Sequence, residues 1–136
     1  MFDACSAHWR QLNPYPDPGP WGAIADPDER LSVALTEFYA YYARNARMLE
    51  NLHRDAATMP LVARRFSRFG EYLGVVTDAL MTGRGLRGRA RSRARAAIGH
   101  ALAFSTWRSL AGEQALPAKE AVSLMAGFVR AAATGV

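Results

Sequence analysis

Six arginines fall within the twelve residues RGLRGRARSRAR, positions 84 to 95, with no acidic residue among them. Guanidinium groups at such density would neutralise phosphates, and electrostatic affinity for a nucleic acid grows with the number of phosphates neutralised. The chain carries 17 Lys and Arg against 12 Asp and Glu, a net charge of +5; without these six arginines, eleven would face twelve, leaving −1. All the basic excess therefore sits in one segment. The run has no interleaved aromatic side chain on which bases would stack. It is read as a solvated connection and helix start, and no direct binding of DNA by this chain is expected.

Other reactive side chains are sparse. Histidines 8, 53 and 100 are far apart, and Cys5 with His8 is the one local pair of metal-ligand type. No HExxH and no paired-cysteine spacing points to zinc, so no metal and no cofactor is expected. Asp26, Asp28 and Glu29 cluster, but capping and the helix dipole account for them. With no GxSxG elbow and no glycine-rich phosphate loop, no catalytic residue is assigned and the chain is not read as an enzyme. A lone cysteine cannot close an internal disulfide, which agrees with a reducing compartment. No apolar run reaches the length of a membrane span, and the start of the chain lacks the layout of a secretory signal; the expected location is the cytoplasm, with no membrane partner.

Aromatic residues offer binding chemistry instead. Phe38, Tyr41, Tyr42, Phe66, Phe69, Tyr72, Phe104 and Trp107 concentrate in the middle of the chain. Core packing is the plain reading of any one of them. Together they suit a mostly apolar cavity with a few polar points, for which tyrosine hydroxyls are apt. Met48 and Met81 would line such a cavity adaptably, and His53 would add a polar contact. The ligand expected there is a small hydrophobic effector.

Helices must position these side chains. At 136 residues and half hydrophobic, the chain fits a single domain, residues 1–136, with a real core. Proline and glycine divide it into helical blocks, and no segment alternates with period two for long enough to make a strand. Residues 2–12 read as a short helix stopped by NPYPDPGPWG. A strong start follows at Asp26, with Pro27 in the first turn. Leu31, Leu35, Phe38 and Tyr42 then form one stripe, widened by Ala34 and Tyr41, with a bend expected near Asn45. A third block opens at Pro60 and carries Val62, Phe66, Phe69, Leu73, Val76 and Leu80 on one face, and it ends at Gly83 and Gly85. Gly70 and Gly74 inside it suggest close approach of another helix. A fourth block runs from about Arg87 to Leu110, and a fifth follows Pro117. The fold class is all-α, an antiparallel bundle of about five to six helices.

The last two blocks are apolar over a broad arc. Ala97 and Ala101 on one, and Ala121, Val122, Met125, Phe128 and Val129 on the other, leave little polar back for water. Two such helices meeting their copies across a twofold axis make a four-helix interface, so a homodimer is expected through them.

DPDERLSVALTEFYAYYARNARMLENLHRD (26–55), GHALAFSTWRSL (99–110) and KEAVSLMAGFVRAA (119–132) resemble the C-terminal, ligand-sensing domain of TetR-family transcriptional regulators. The resemblance implies that the last two long helices dimerise while earlier ones enclose an effector pocket, and it places His100 at the border of pocket and interface. In that family a helix-turn-helix headpiece precedes this domain; MFDACSAHW resembles the helix that follows the headpiece, so the DNA-reading part is expected to be missing here. The implied function is effector sensing and dimerisation in a repressor of TetR type. A free-standing dimeric, helical small-molecule-binding protein is the alternative.

Overall fold

The structure is a computed structural model and describes residues 12–134. The expected first helix lies, but for Leu12, outside the described residues, as do Cys5 and His8. Among the described residues there are five α-helices and no strand. They are α1 (Pro27–Ala56), α2 (Pro60–Met81), α3 (Gly88–Leu102), the single turn α4 (Phe104–Trp107) and α5 (Ala118–Ala133). A 3₁₀ turn, Gly19–Ala23, precedes them, and a π-type turn, Arg108–Glu113, joins α4 to α5.

Helix α1 begins as its sequence dictates: the Asp26 side chain accepts from the Asp28 N–H at 3.1 Å, and Pro27 occupies the first turn. The stripe Leu31, Leu35, Phe38 and Tyr42, with Ala34 and Tyr41, is at most 1% exposed, which makes α1 the spine of the core. The bend falls at Asn45, whose φ of −119° and ψ of 16° interrupt the helix. Its side-chain amide donates to the Tyr41 carbonyl at 2.9 Å, so a side chain inserts into the backbone ladder there.

Helix α2 returns antiparallel to α1, since the Arg30 guanidinium, near the start of α1, donates to the Thr82 carbonyl just past the end of α2 at 2.7 Å. Its apolar face is not buried along its full length. Val62, Val76 and Leu80 are buried, whereas Phe66, Phe69 and Leu73 are half-exposed. Among the described residues no helix approaches Gly70 or Gly74: a Cβ added at either would meet nothing within 4 Å. The middle of α2 is covered instead by the proline-rich segment before α1, which carries Tyr15 and the buried Trp21 onto the helices.

The fourth block is not one helix. It breaks at Ala103, whose φ of −67° and ψ of 140° are extended, and α4 restarts at an angle set by that residue. Helices α3 and α5 make the most extensive pairing in the fold, and α5 also packs on α1.

Candidate ligand and assembly sites

Tyr39 and Tyr42 lie on the buried side of α1, facing the end of α3. The last carbonyls of a helix have no partner within it. Here the Tyr39 hydroxyl donates to the Ala101 carbonyl at 2.6 Å and the Tyr42 hydroxyl to the Leu102 carbonyl at 2.5 Å. Tyr72 donates its hydroxyl to the carbonyl of Pro16. Three buried or half-buried tyrosines thus spend their hydroxyls on backbone carbonyls. Tyr41 does not: it is 1% exposed and its hydroxyl has no hydrogen-bond partner among the described residues. Burial pushes all four phenols above their ordinary pKa of 10.0, and for Tyr41 the nearby Tyr15 and Tyr72 add to the rise.

The aromatic residues form two neighbouring clusters joined by Tyr42. In the first, Tyr15 stacks on Tyr72 with centroids 5.0 Å apart, while Phe69 and Tyr41 present their edges at 5.3 and 5.8 Å. Phe38 stacks behind Tyr72 at 6.0 Å. In the second, His53 meets Phe66 at 4.5 Å and Phe104 at 5.1 Å, and Phe104 stacks on Trp107 at 5.7 Å. Tyr42 touches Phe38 on one side and Phe104 and Trp107 on the other.

Nine of the ten residues expected at a ligand site therefore belong to this aromatic system, but not around one hollow. Phe38, Tyr42 and Phe104 are buried ring against ring. Met48, the tenth, is 40% exposed. His53 is at the exposed margin, its Nδ1 within 3.0 Å of the Leu49 carbonyl. Sequence reasoning missed Tyr15 and Trp21. The prolines around them read as a chain break, and proximity to the rings of α1 and α2 has no local signature.

The eight residues expected at a dimer interface divide more sharply. Ala97, Ala101, Ala121, Val122, Met125 and Val129 are each at most 9% exposed within the single chain. The expectation that they face a second copy is corrected: they belong to the protein's own core. Small side chains let α3 and α5 pack closely, and this consumes the apolar surface that looked unpartnered. His100 and Phe128 remain exposed, with ring centroids 5.8 Å apart. Beside them, Leu124 is 53% exposed one helical turn before Phe128, and Ala96 is exposed one turn before His100. The outer seam of α3 and α5 is thus a weakly polar strip narrower than the sequence implies.

The arginine run is also not one solvated surface. The Arg84 side chain is buried, 5% exposed; it donates to the Leu80 carbonyl at 2.9 Å, the Pro27 carbonyl at 3.1 Å and Asp28 Oδ1 at 3.1 Å. Arg95 pairs with Asp78 at 2.6 Å. Arg87, Arg89 and Arg91 are exposed on the connection and first turn of α3. A shallow open cleft of about 250 Å³ lies next to Arg84, between the start of α1 and the end of α5, with Asp28 and Arg130 on its walls.

Among the described residues, no three His, Cys, Asp or Glu side chains are placed to hold a metal ion, and no helix is long and apolar enough to cross a membrane. Compared with protein-family models, with curated proteins and with solved structures, the chain shows no match.

Proposed function

We propose that this chain is a helical effector-sensing domain of the kind that TetR-type regulators carry, taking a small hydrophobic ligand among the rings of α1 and α2 and dimerising along the outer seam of α3 and α5. The observation that carries this reading is the buried Tyr41 hydroxyl. A buried polar group without a partner costs about 1–3 kcal/mol, and native proteins keep few of them. A ligand with an oxygen atom at that point would supply the partner. Such a ligand acts by shifting the population between two conformations, to the extent of its differential affinity for them. The pattern shared with the TetR sensing domain supports the same reading, and the exposed Leu124, His100 and Phe128 are the side chains a twofold-related copy would cover.

Thermal-shift screening of planar apolar compounds bearing one oxygen tests the ligand. Stabilisation of the wild type, reduced in Tyr41→Phe, is expected; a complete absence of stabilisers sinks the sensing role. Light scattering tests assembly: a particle of twice the 14.9 kDa chain mass is expected, converting to the monomer in Phe128→Arg. A wild-type monomer at micromolar concentration removes the dimer.

A further inference from the structure

The Tyr15 ring has three aromatic walls. Tyr72 stacks on it at 5.0 Å and 26°, and Phe69 and Tyr41 close in edge-on at 61° and 81°. One stacked face with two edges is the preferred surrounding of a single aromatic ring. The slot opens to water, since Tyr15 is only half-buried. Its occupant also comes from an unusual segment: Pro14, Pro16, Pro18 and Pro20 alternate through it. None of those four residues has an N–H to donate, so apart from the single 3₁₀ turn Gly19–Ala23 no helix or strand ladder holds the segment. It is tied to α1 and α2 by side chains, through the Tyr72 hydroxyl on the Pro16 carbonyl and through Trp21 Nε1 on Glu37 Oε2 at 2.8 Å.

We propose that Tyr15 is a built-in occupant of the ligand slot, and that the ligand is a monocyclic phenol-type aromatic, which displaces the Tyr15 ring and releases the proline-rich strap. The proposal rests on the sensing role given above and names the ligand class and the moving part of that site. Two independent features point to the same chemistry. The walls are shaped for one ring because one ring already fills them. The hydroxyl of Tyr41, at the same cluster, is buried and unpartnered, and Tyr15's own phenol leaves it so. A free phenol, not constrained by a chain, can turn its oxygen to Tyr41 while keeping the stack on Tyr72. Release of the strap then uncovers the middle of α2, where Phe69 and Leu73 are covered only in part, and converts ligand entry into a change at the front of the bundle.

Phenol and toluene are titrated calorimetrically into the full chain, its Tyr15→Ala variant and the double variant Tyr15→Ala/Tyr41→Phe, and amide exchange of residues 15–24 is followed with and without phenol. Wild type is expected to bind phenol weakly, at millimolar concentration, with faster exchange in the strap. Tyr15→Ala should bind it at least tenfold tighter because the competitor is gone, and Tyr41→Phe in that background should abolish the preference for phenol over toluene. Equal affinity of wild type and Tyr15→Ala, or phenol binding to wild type with unchanged strap exchange, overturns the proposal and leaves the sensing role standing on another site. No phenol binding to either protein overturns the proposal, and the sensing role falls with it only if the wider thermal-shift screen is also empty. If Tyr15→Ala does not fold, the wild-type binding and exchange data decide alone.

Discussion

The Tyr42 hydroxyl donates to the carbonyl oxygen of Leu102 at 2.5 Å, at the residue where α3 stops. Tyr39 does the same for Ala101. Two phenols from α1 thus terminate a helix some sixty residues away in sequence. Tyr42→Phe removes the donor and leaves a buried carbonyl unsatisfied, a loss of about 1–2 kcal/mol and roughly 3–8 °C in Tm. Tyr39→Phe should cost a similar amount. The pair should be non-additive, because both act on one helix end. Circular dichroism melts of the single and double variants check this.

Arg30 plays the corresponding part for α2. It is 7% exposed and donates to the carbonyls of Ile24, Ala79 and Thr82, placing its charge at the negative end of the helix dipole. Hydrogen bonds from a charged donor are stronger than neutral ones, so Arg30→Met should destabilise by about 2–3 kcal/mol. Arg30→Lys should recover little, since one ammonium cannot reach carbonyls on both sides. A denaturation midpoint for Arg30→Met equal to wild type would contradict this role.

The arginine run divides into members with and without structural work. Arg84→Ala breaks the contacts that join the end of α2 to Pro27 and Asp28 and should lower the melting temperature clearly. Arg89→Ala and Arg91→Ala remove exposed cations from the positive end of α3, where they repel the helix dipole, and should leave the melting temperature unchanged or slightly higher. The same melts, repeated at high salt, should shrink the small gain.

Gly70 and Gly74 lie inside α2 with open space at their Cβ positions. Replacing either by Ala removes backbone freedom from the unfolded chain without a clash, a gain of about 0.5–1 kcal/mol each. A loss of stability on substitution would show that something covers this face of α2.

Alkali should unfold the protein cooperatively. Tyr39, Tyr41, Tyr42 and Tyr72 all have their pKa raised above 10.0 by burial, so the folded state holds their protons more tightly than the unfolded state does. Stability is full below about pH 10 and falls as pH rises beyond it, because unfolded tyrosines ionise first. Tyrosinate absorbance from these residues should appear together with loss of helical signal; ionisation well before unfolding would contradict their burial.

The sequence by itself determined where α1, α2 and α5 lie, though not the break at Ala103. Asp26 and Pro27 start α1, the stripe from Leu31 to Tyr42 turns its face inward, Asn45 marks its bend, and the glycines at 83 and 85 end α2, because caps, stripes and breakers act over a few residues of one chain. Tertiary structure decided what each surface meets. Ala97, Met125 and Val129 looked ready for a partner and instead fill the α3–α5 seam, while Tyr15, in a stretch that reads only as a break, lies among the rings of α1 and α2. Helix periodicity records that a face is apolar but not which neighbour covers it. The contacts that settle the question here, from Arg30 to Thr82, from Tyr42 to Leu102 and from Arg84 to Asp28, span 52 to 60 residues, and they exist only once the helices have packed.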